Sequence, residues 1–163
     1  EPVNFDGKFF HLEDALLLPR PARKGGPPIV IGGNGEKRTM PLAARYADEW
    51  NAVFVSADRF RTLNSHLDGL LAKEGREPAS MRRTLMHRIT VGASDSDVKR
   101  KTEGQDVEGM KSRGALIGTP SEIAEGLLAF DAVGVQRIMG QMQDMDDLDG
   151  VELLATKVLP QLG

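Results

Sequence analysis

The stretch from Pro27 to Ala52, PPIVIGGNGEKRTMPLAARYADEWNA, decides the fold. Ile29, Val30 and Ile31 form a short apolar β-branched run that stops at Gly32, Gly33, Asn34 and Gly35, the pattern of a strand buried on both faces and followed by a glycine loop. Leu42, Ala43, Tyr46 and Ala47 then recur at helical spacing, and Trp50 to Val55 returns to an apolar run. Strand, helix and strand in so short a compass make a βαβ unit, whose two strands lie parallel through a right-handed crossover.

The alternation continues outward. Ser56 caps a helix in which Phe60, Leu63, Leu67, Leu70 and Leu71 step by three and four residues until Gly75 stops it. Thr84 to Val91 reads as a strand, and the polar stretch from Ser94 to Arg113 as part helix and part mobile loop. Thr119, Pro120 and Glu122 supply a cap, a first-turn proline and a capping-box acid for a helix carrying Ile123, Leu127 and Phe130 and closed at Gly134. Val135 to Met142 is the next strand. Leu148, Val151, Leu154, Ala155, Val158 and Leu159 line one face of a final helix ending at Pro160. Strands near Val30, Asn51, Ile89 and Ile138 give about four parallel βα units in strict alternation, half of a (β/α)8 TIM barrel of the α/β class. Upstream, Asp6 and Gly7 predict a tight hairpin with Phe9, Phe10 and His11 on the return strand, and prolines 19, 21, 27 and 28 bracket a basic connector with Arg20, Arg23 and Lys24. Residues 1–163 thus read as a single domain, with 1–26 the hairpin and connector and 27–163 the βα units.

Composition narrows the function. With 40% hydrophobic and 28% charged residues the chain has the material for a core, so disorder along its length is excluded. A net charge of −3 supplies no basic surface for a polyanion, so nucleic acid is not an expected partner. No apolar run approaches the roughly 18 residues of a membrane span, and no signal-peptide pattern opens the chain. Cys 0 excludes disulfides and thiolate-bound metals, leaving a cytoplasmic location as the default expectation. An opening without Met, cap or targeting signal reads as a cut through a longer protein.

The glycine loop is the main chemical feature. At the end of a parallel strand and before a helix, Gly32, Gly33, Asn34 and Gly35 let an anion approach backbone N–H groups that also feel the helix dipole, and phosphate is the natural guest. The same glycines also suit a plain tight βα turn. Arg38 stands where a dinucleotide fingerprint needs its third glycine, and Lys37 does not follow a glycine as in a Walker loop, so neither label applies. Arg38 and Thr39 offer a guanidinium and a hydroxyl to a bound anion, or simply exposure and capping; with Thr39 as the cap, Pro41 falls in the first turn. His11, His66 and His87 lack metal-ligand spacing, and Asp144, Asp146, Asp147 and Asp149 read as solvated helix-start charge. No metal site and no catalytic residue is assigned.

The segment Pro27 to Ala52 closely resembles the luciferase-like monooxygenase family, and within it the branch of oxidoreductases that use the deazaflavin coenzyme F420. FDGKFFHLEDALLLPRP resembles that family's inserted hairpin, GTPSEIAEGL the turn before a late helix, and GVQRIMGQM with VLPQL the last strand and helix. Pro41 departs from the family's continuous helix. The resemblance implies the C-terminal half of a (β/α)8 barrel, from its fifth strand onward. It implies that Gly32, Gly33, Asn34 and Gly35 hold the phosphate end of the cofactor, with Arg38 and Thr39 matching the motif. The implied activity is hydride transfer between a small organic substrate and coenzyme F420, with FMN-dependent monooxygenation as the alternative. A half-barrel has two unpaired sheet edges, so a homo-oligomer joined through those edges, or a non-catalytic self-associating module, is also expected.

Overall fold

The computed structural model describes residues 1–163. An antiparallel hairpin, β1 (Val3–Asp6) and β2 (His11–Ala15), precedes a parallel sheet. That sheet contains β3 (Val30–Gly32), β4 (Glu49–Val53), β5 (Arg82–Val91), β6 (Leu116–Gly118) and β7 (Arg137–Gln141). The helices are α1 (Thr39–Tyr46), α2 (Ala57–Lys73), α3 (Asp95–Lys101), α4 (Val107–Ser112), α5 (Pro120–Asp131) and α6 (Leu148–Leu153). No helix is long and apolar enough to cross a membrane.

The sheet runs β3, β4, β5, β7, all parallel, as four barrel strands require, and β3 and β7 each pair on one side only. One strand, β6, is added to the expected four. β5 has ten residues, pairs with β4 along its first half, and pairs with β6 along its last three positions. Gly114 packs against Val55 and Ser56, so β6 takes up β5 where β4 leaves it. The polar stretch before β6 folds as α3 and α4, each capped by its own side chain, Ser94 and Asp106.

The core lies between the sheet and its helices. Trp50, Leu85 and Val91 from the strands meet Met40, Ala43 and Ala44 of α1, Phe60, Leu63, Leu67 and Leu71 of α2, and Ile123 and Phe130 of α5. Each large side chain buried this way contributes about 1.5–3 kcal/mol. The helix predicted from Ser56 forms as read: the Ser56 hydroxyl accepts from the Arg59 N–H, and Gly75 ends it with a left-handed φ of +67°.

Four local expectations are corrected. The Ile29–Ile31 run is not buried on both faces: Ile31 packs on the core, but Val30 is 50% exposed because it projects from the opposite face, which no helix covers. Phe9 and Phe10 lie in the hairpin turn rather than the return strand, which starts at His11. Arg38, not Thr39, is the α1 N-cap position, so Thr39 opens the first turn, where Pro41 is harmless. The final helix breaks into α6, a π turn (Leu154–Val158) and a 3-10 turn (Leu159–Gln161). Of the expected stripe Leu154 and Val158 pack on the core, joined by Leu153, while Leu148, Val151, Ala155 and Leu159 are exposed.

At the start of α5 the Glu122 carboxylate accepts from the Thr119 N–H at 2.7 Å and the Thr119 hydroxyl at 3.0 Å, which holds its pKa below the ordinary 4.5. A carboxylate depressed by folding stabilises fully above its unfolded value, and loses that contribution as pH falls through the lowered value. Glu122→Gln is therefore expected to flatten the acid side of the stability profile. Thermal melts between about pH 6 and 3 test this, and an unchanged slope refutes it.

Candidate functional site

β3 ends at the glycine loop, which is fixed by the Asn34 side chain and by the main chain of Gly33 and Gly35. The Asn34 carboxamide donates to the Val53 carbonyl at 2.7 Å and accepts from the Val53 N–H at 3.0 Å, standing in for one more residue of a parallel strand. The Trp50 indole N–H donates to the Gly33 carbonyl at 2.9 Å, and the Gly33 N–H reaches the Asn51 carbonyl at 2.9 Å. Gly33 holds φ at +117°, a region that penalises any side chain, and a Cβ on Gly35 would lie 2.9 Å from Thr39 Oγ1. The Met40 N–H closes the loop onto the Gly35 carbonyl at 3.0 Å. The N–H groups of Asn34, Gly35, Glu36, Lys37, Arg38 and Thr39 donate to no protein acceptor. They lead into and open the eight-residue α1, where the helix dipole adds positive potential.

Gly35, Arg38 and Thr39 line one open depression of about 740 Å3 with Glu36, Lys37 and His66. Gly32 lies on the sheet side of the loop, in register with Asn51. Asn34 is brought to the loop but engaged with β4 through both ends of its amide. Arg38 is exposed and its guanidinium makes no ion pair or hydrogen bond, whereas Glu36 is tied to Arg59 of α2, which holds its carboxyl below the usual range. His66 and Lys37 line the depression without a signal in the sequence that marks them. His66 sits on the outer side of α2, where periodicity marks only the buried face.

The sheet face away from the helices belongs to no apolar cluster. At its lower end Glu49, 5% exposed, pairs with Arg137 and accepts from the Thr84 hydroxyl at 2.9 Å, while Asn51 donates to Thr84 at 2.9 Å. On the opposite, helix-packed face His87, 2% exposed, lies against Phe130 of α5. Burial lowers its pKa from 6.5, Nε2 lies 3.1 Å from the Arg113 carbonyl, and Nδ1 accepts from the Arg88 N–H. One acid of the Asp144–Asp149 group departs from the solvated reading. Asp147 is largely buried, caps α6 through the Gly150 N–H, and receives Lys101 Nζ at 2.7 and 2.8 Å.

With this geometry in hand, the comparisons are specific. The sequence profile of the luciferase-like monooxygenase family matches residues 1–113. The FMNH2-dependent dimethylsulfone monooxygenase of Pseudomonas putida is 24% identical over 197 aligned positions, covering 96% of this chain and 52% of the relative. An F420-dependent secondary alcohol dehydrogenase, solved with an F420-acetone adduct, superposes with a TM-score of 0.80 at 17% identity, over 99% of this chain and 56% of its own. The coenzyme F420-dependent tetrahydromethanopterin reductase of Methanopyrus kandleri gives 0.77 at 14% identity, over 99% and 58%. The chain therefore spans about half the length of these relatives, and its fold is that of half their barrel. Because the family profile covers well over half of the sequence, this chain belongs to the luciferase-like monooxygenase family.

Proposed function

We propose that this chain supplies the cofactor-phosphate cradle of a luciferase-like oxidoreductase that transfers hydride between a small organic substrate and coenzyme F420. The observation that carries the reading is the run of uncommitted backbone N–H groups from Asn34 to Thr39 at the start of α1. Such a run, in a loop where Gly33 and Gly35 keep side chains away, suits a phosphate oxygen. Arg38 adds a mobile cation beside it, and Lys37 a second. Asn34 and Trp50 fix the loop against β4, so the donors need little reorganisation to bind. Bound there, the deazaflavin supplies the hydride chemistry, and the protein's part is to hold the phosphate end and aim the ring along the C-terminal ends of the strands.

FMN is the second reading, favoured by the FMNH2-dependent relative being the more similar in sequence. Fluorescence titration with F420 and with FMN separates the two: tighter F420 binding supports the first, tighter FMN binding the second, and saturable binding of neither refutes the cradle. Gly35→Val forces Thr39 aside. We expect it to weaken the preferred cofactor about tenfold, the equivalent of one charge-assisted hydrogen bond.

Self-association is a further part of the proposal. The outer edges of β3 and β7 are unpaired, and the hairpin exposes Phe5, Phe9, Phe10 and Leu12. A solution mass of twice the chain's supports pairing through these surfaces, and a stable monomer at high concentration overturns it.

A further inference from the structure

The sheet face opposite the helices is layered along the strands. Register partners in a parallel sheet share a face, so Asn51, Thr84 and Arg137 form one level, Val53, Met86 and Met139 the next, and Arg88 and Gln141 the one above. The lowest level is internally satisfied, with Arg137 on Glu49 and Asn51 on Thr84. The middle level is apolar and adaptable, two thioethers beside a valine. The upper level is different in kind. Arg88 is half-buried, yet its guanidinium makes no hydrogen bond and no ion pair. The other arginines withdrawn from solvent are spoken for: Arg83 by Asp68, Asn64 and two carbonyls, Arg76 by the carbonyls of Ala44 and Ala47.

What Arg88 does have is an aromatic neighbour, with Phe54 placing its ring centroid 5.9 Å from the guanidinium carbon. Phe54 follows the last residue of β4 and adopts φ +51°, a left-handed conformation that is costly for an aromatic residue. Its N–H bonded to the Met86 carbonyl at 3.0 Å holds it there, as does Val53, clamped by Asn34. The strained turn leaves the ring 40% exposed, its neighbour His87 meeting it at 79° in an edge arrangement.

We propose that Arg88 and Phe54, above Met86 and Met139, form the binding site for a small organic carboxylate, the oxyanion paired with the guanidinium and its flat apolar body lying against Phe54 and the thioethers. This is the substrate class the cofactor reading lacks, and it rests on that reading only in taking the C-terminal ends of the strands as the reacting side. The glycine loop on β3 is two strands away from β5, on the order of 10 Å, so the two anion sites are distinct.

Benzoate is the probe, with benzamide as its neutral match, titrated into the whole chain and followed by NMR at Arg88 Nε and the Phe54 ring. Benzoate is expected to move both saturably and benzamide to move neither. Arg88→Met is expected to weaken benzoate about tenfold without altering the rest of the spectrum, and Arg88→Lys to restore part of the loss, as a point charge replaces a bidentate one. Equal shifts with benzamide, binding retained in Arg88→Met, or no shift with benzoate each overturn the proposal. So does riboflavin, rather than benzoate, moving Arg88 and Phe54, which would assign them to the cofactor ring. Inorganic phosphate titrated against the amides of residues 34–39 reports on the glycine loop separately, so either reading can fail alone.

Discussion

Trp50→Ala is expected to remove cooperative folding at room temperature or leave it marginal. Trp50 is fully buried, stacks on Phe60 with ring centroids 5.4 Å apart, and donates its indole N–H to the Gly33 carbonyl. Truncating a buried tryptophan costs about 3–5 kcal/mol, a large part of the roughly 5–15 kcal/mol that stabilises an ordinary domain. Trp50→Phe separates the two roles. It keeps most of the packing but leaves the Gly33 carbonyl without its donor, so it ought to fold and bind cofactor more weakly. Urea denaturation followed by circular dichroism measures the first effect and cofactor titration the second. A cooperative Trp50→Ala transition within about 1 kcal/mol of wild type would contradict the account of the core.

Arg83→Met comes next in size. The Arg83 side chain is 8% exposed, and its guanidinium donates to Asn64, to the carbonyls of Pro78 and Met81, and to Asp68. It is the knot that ties α2, the turn after it and β5 together. Methionine fills the volume but leaves two carbonyls and a carboxylate without a donor, and removing one partner of such a network costs about 3 kcal/mol or more. Asp68 is 44% exposed and can rehydrate, so Asp68→Asn should cost only about 1 kcal/mol or less. Chemical denaturation of both variants checks the contrast, and equal losses would mean that the carbonyl contacts contribute little.

Much of the fold is legible where local chemistry and packing agree. The helix from Ser56 has a cap, an apolar stripe and a stop glycine, and all three act as the residue pattern implies. The late helix is announced by Thr119, Pro120 and Glu122 and forms where they place it. β6 is not legible, because three residues ending in a glycine carry no period and become a strand only when β5 outruns β4. The C-terminal stripe is legible only in part: Leu154 and Val158 pack on the core as their spacing implies, but the π turn changes the number of residues per turn, so an α-helical period also selects Ala155 and Leu159, which are exposed. At the candidate site, the glycine loop can be read from composition and position, but the role of Asn34 cannot. Its partner Val53 lies on another strand. Arg88 and Phe54 are hidden in the same way, being brought together by strand register and one left-handed residue.

The side-chain bridge from Asn34 to Val53 has a consequence for how order is distributed. In most of a sheet a residue is rigid because its amide is bonded, so rigidity and protection from exchange with solvent rise together. In this loop the Asn34 carboxamide, the Trp50 indole and the Gly33 N–H do the anchoring, and the amides that follow remain uncommitted. Local order and local protection are thereby decoupled: the segment is stiff and its protons are still available for exchange.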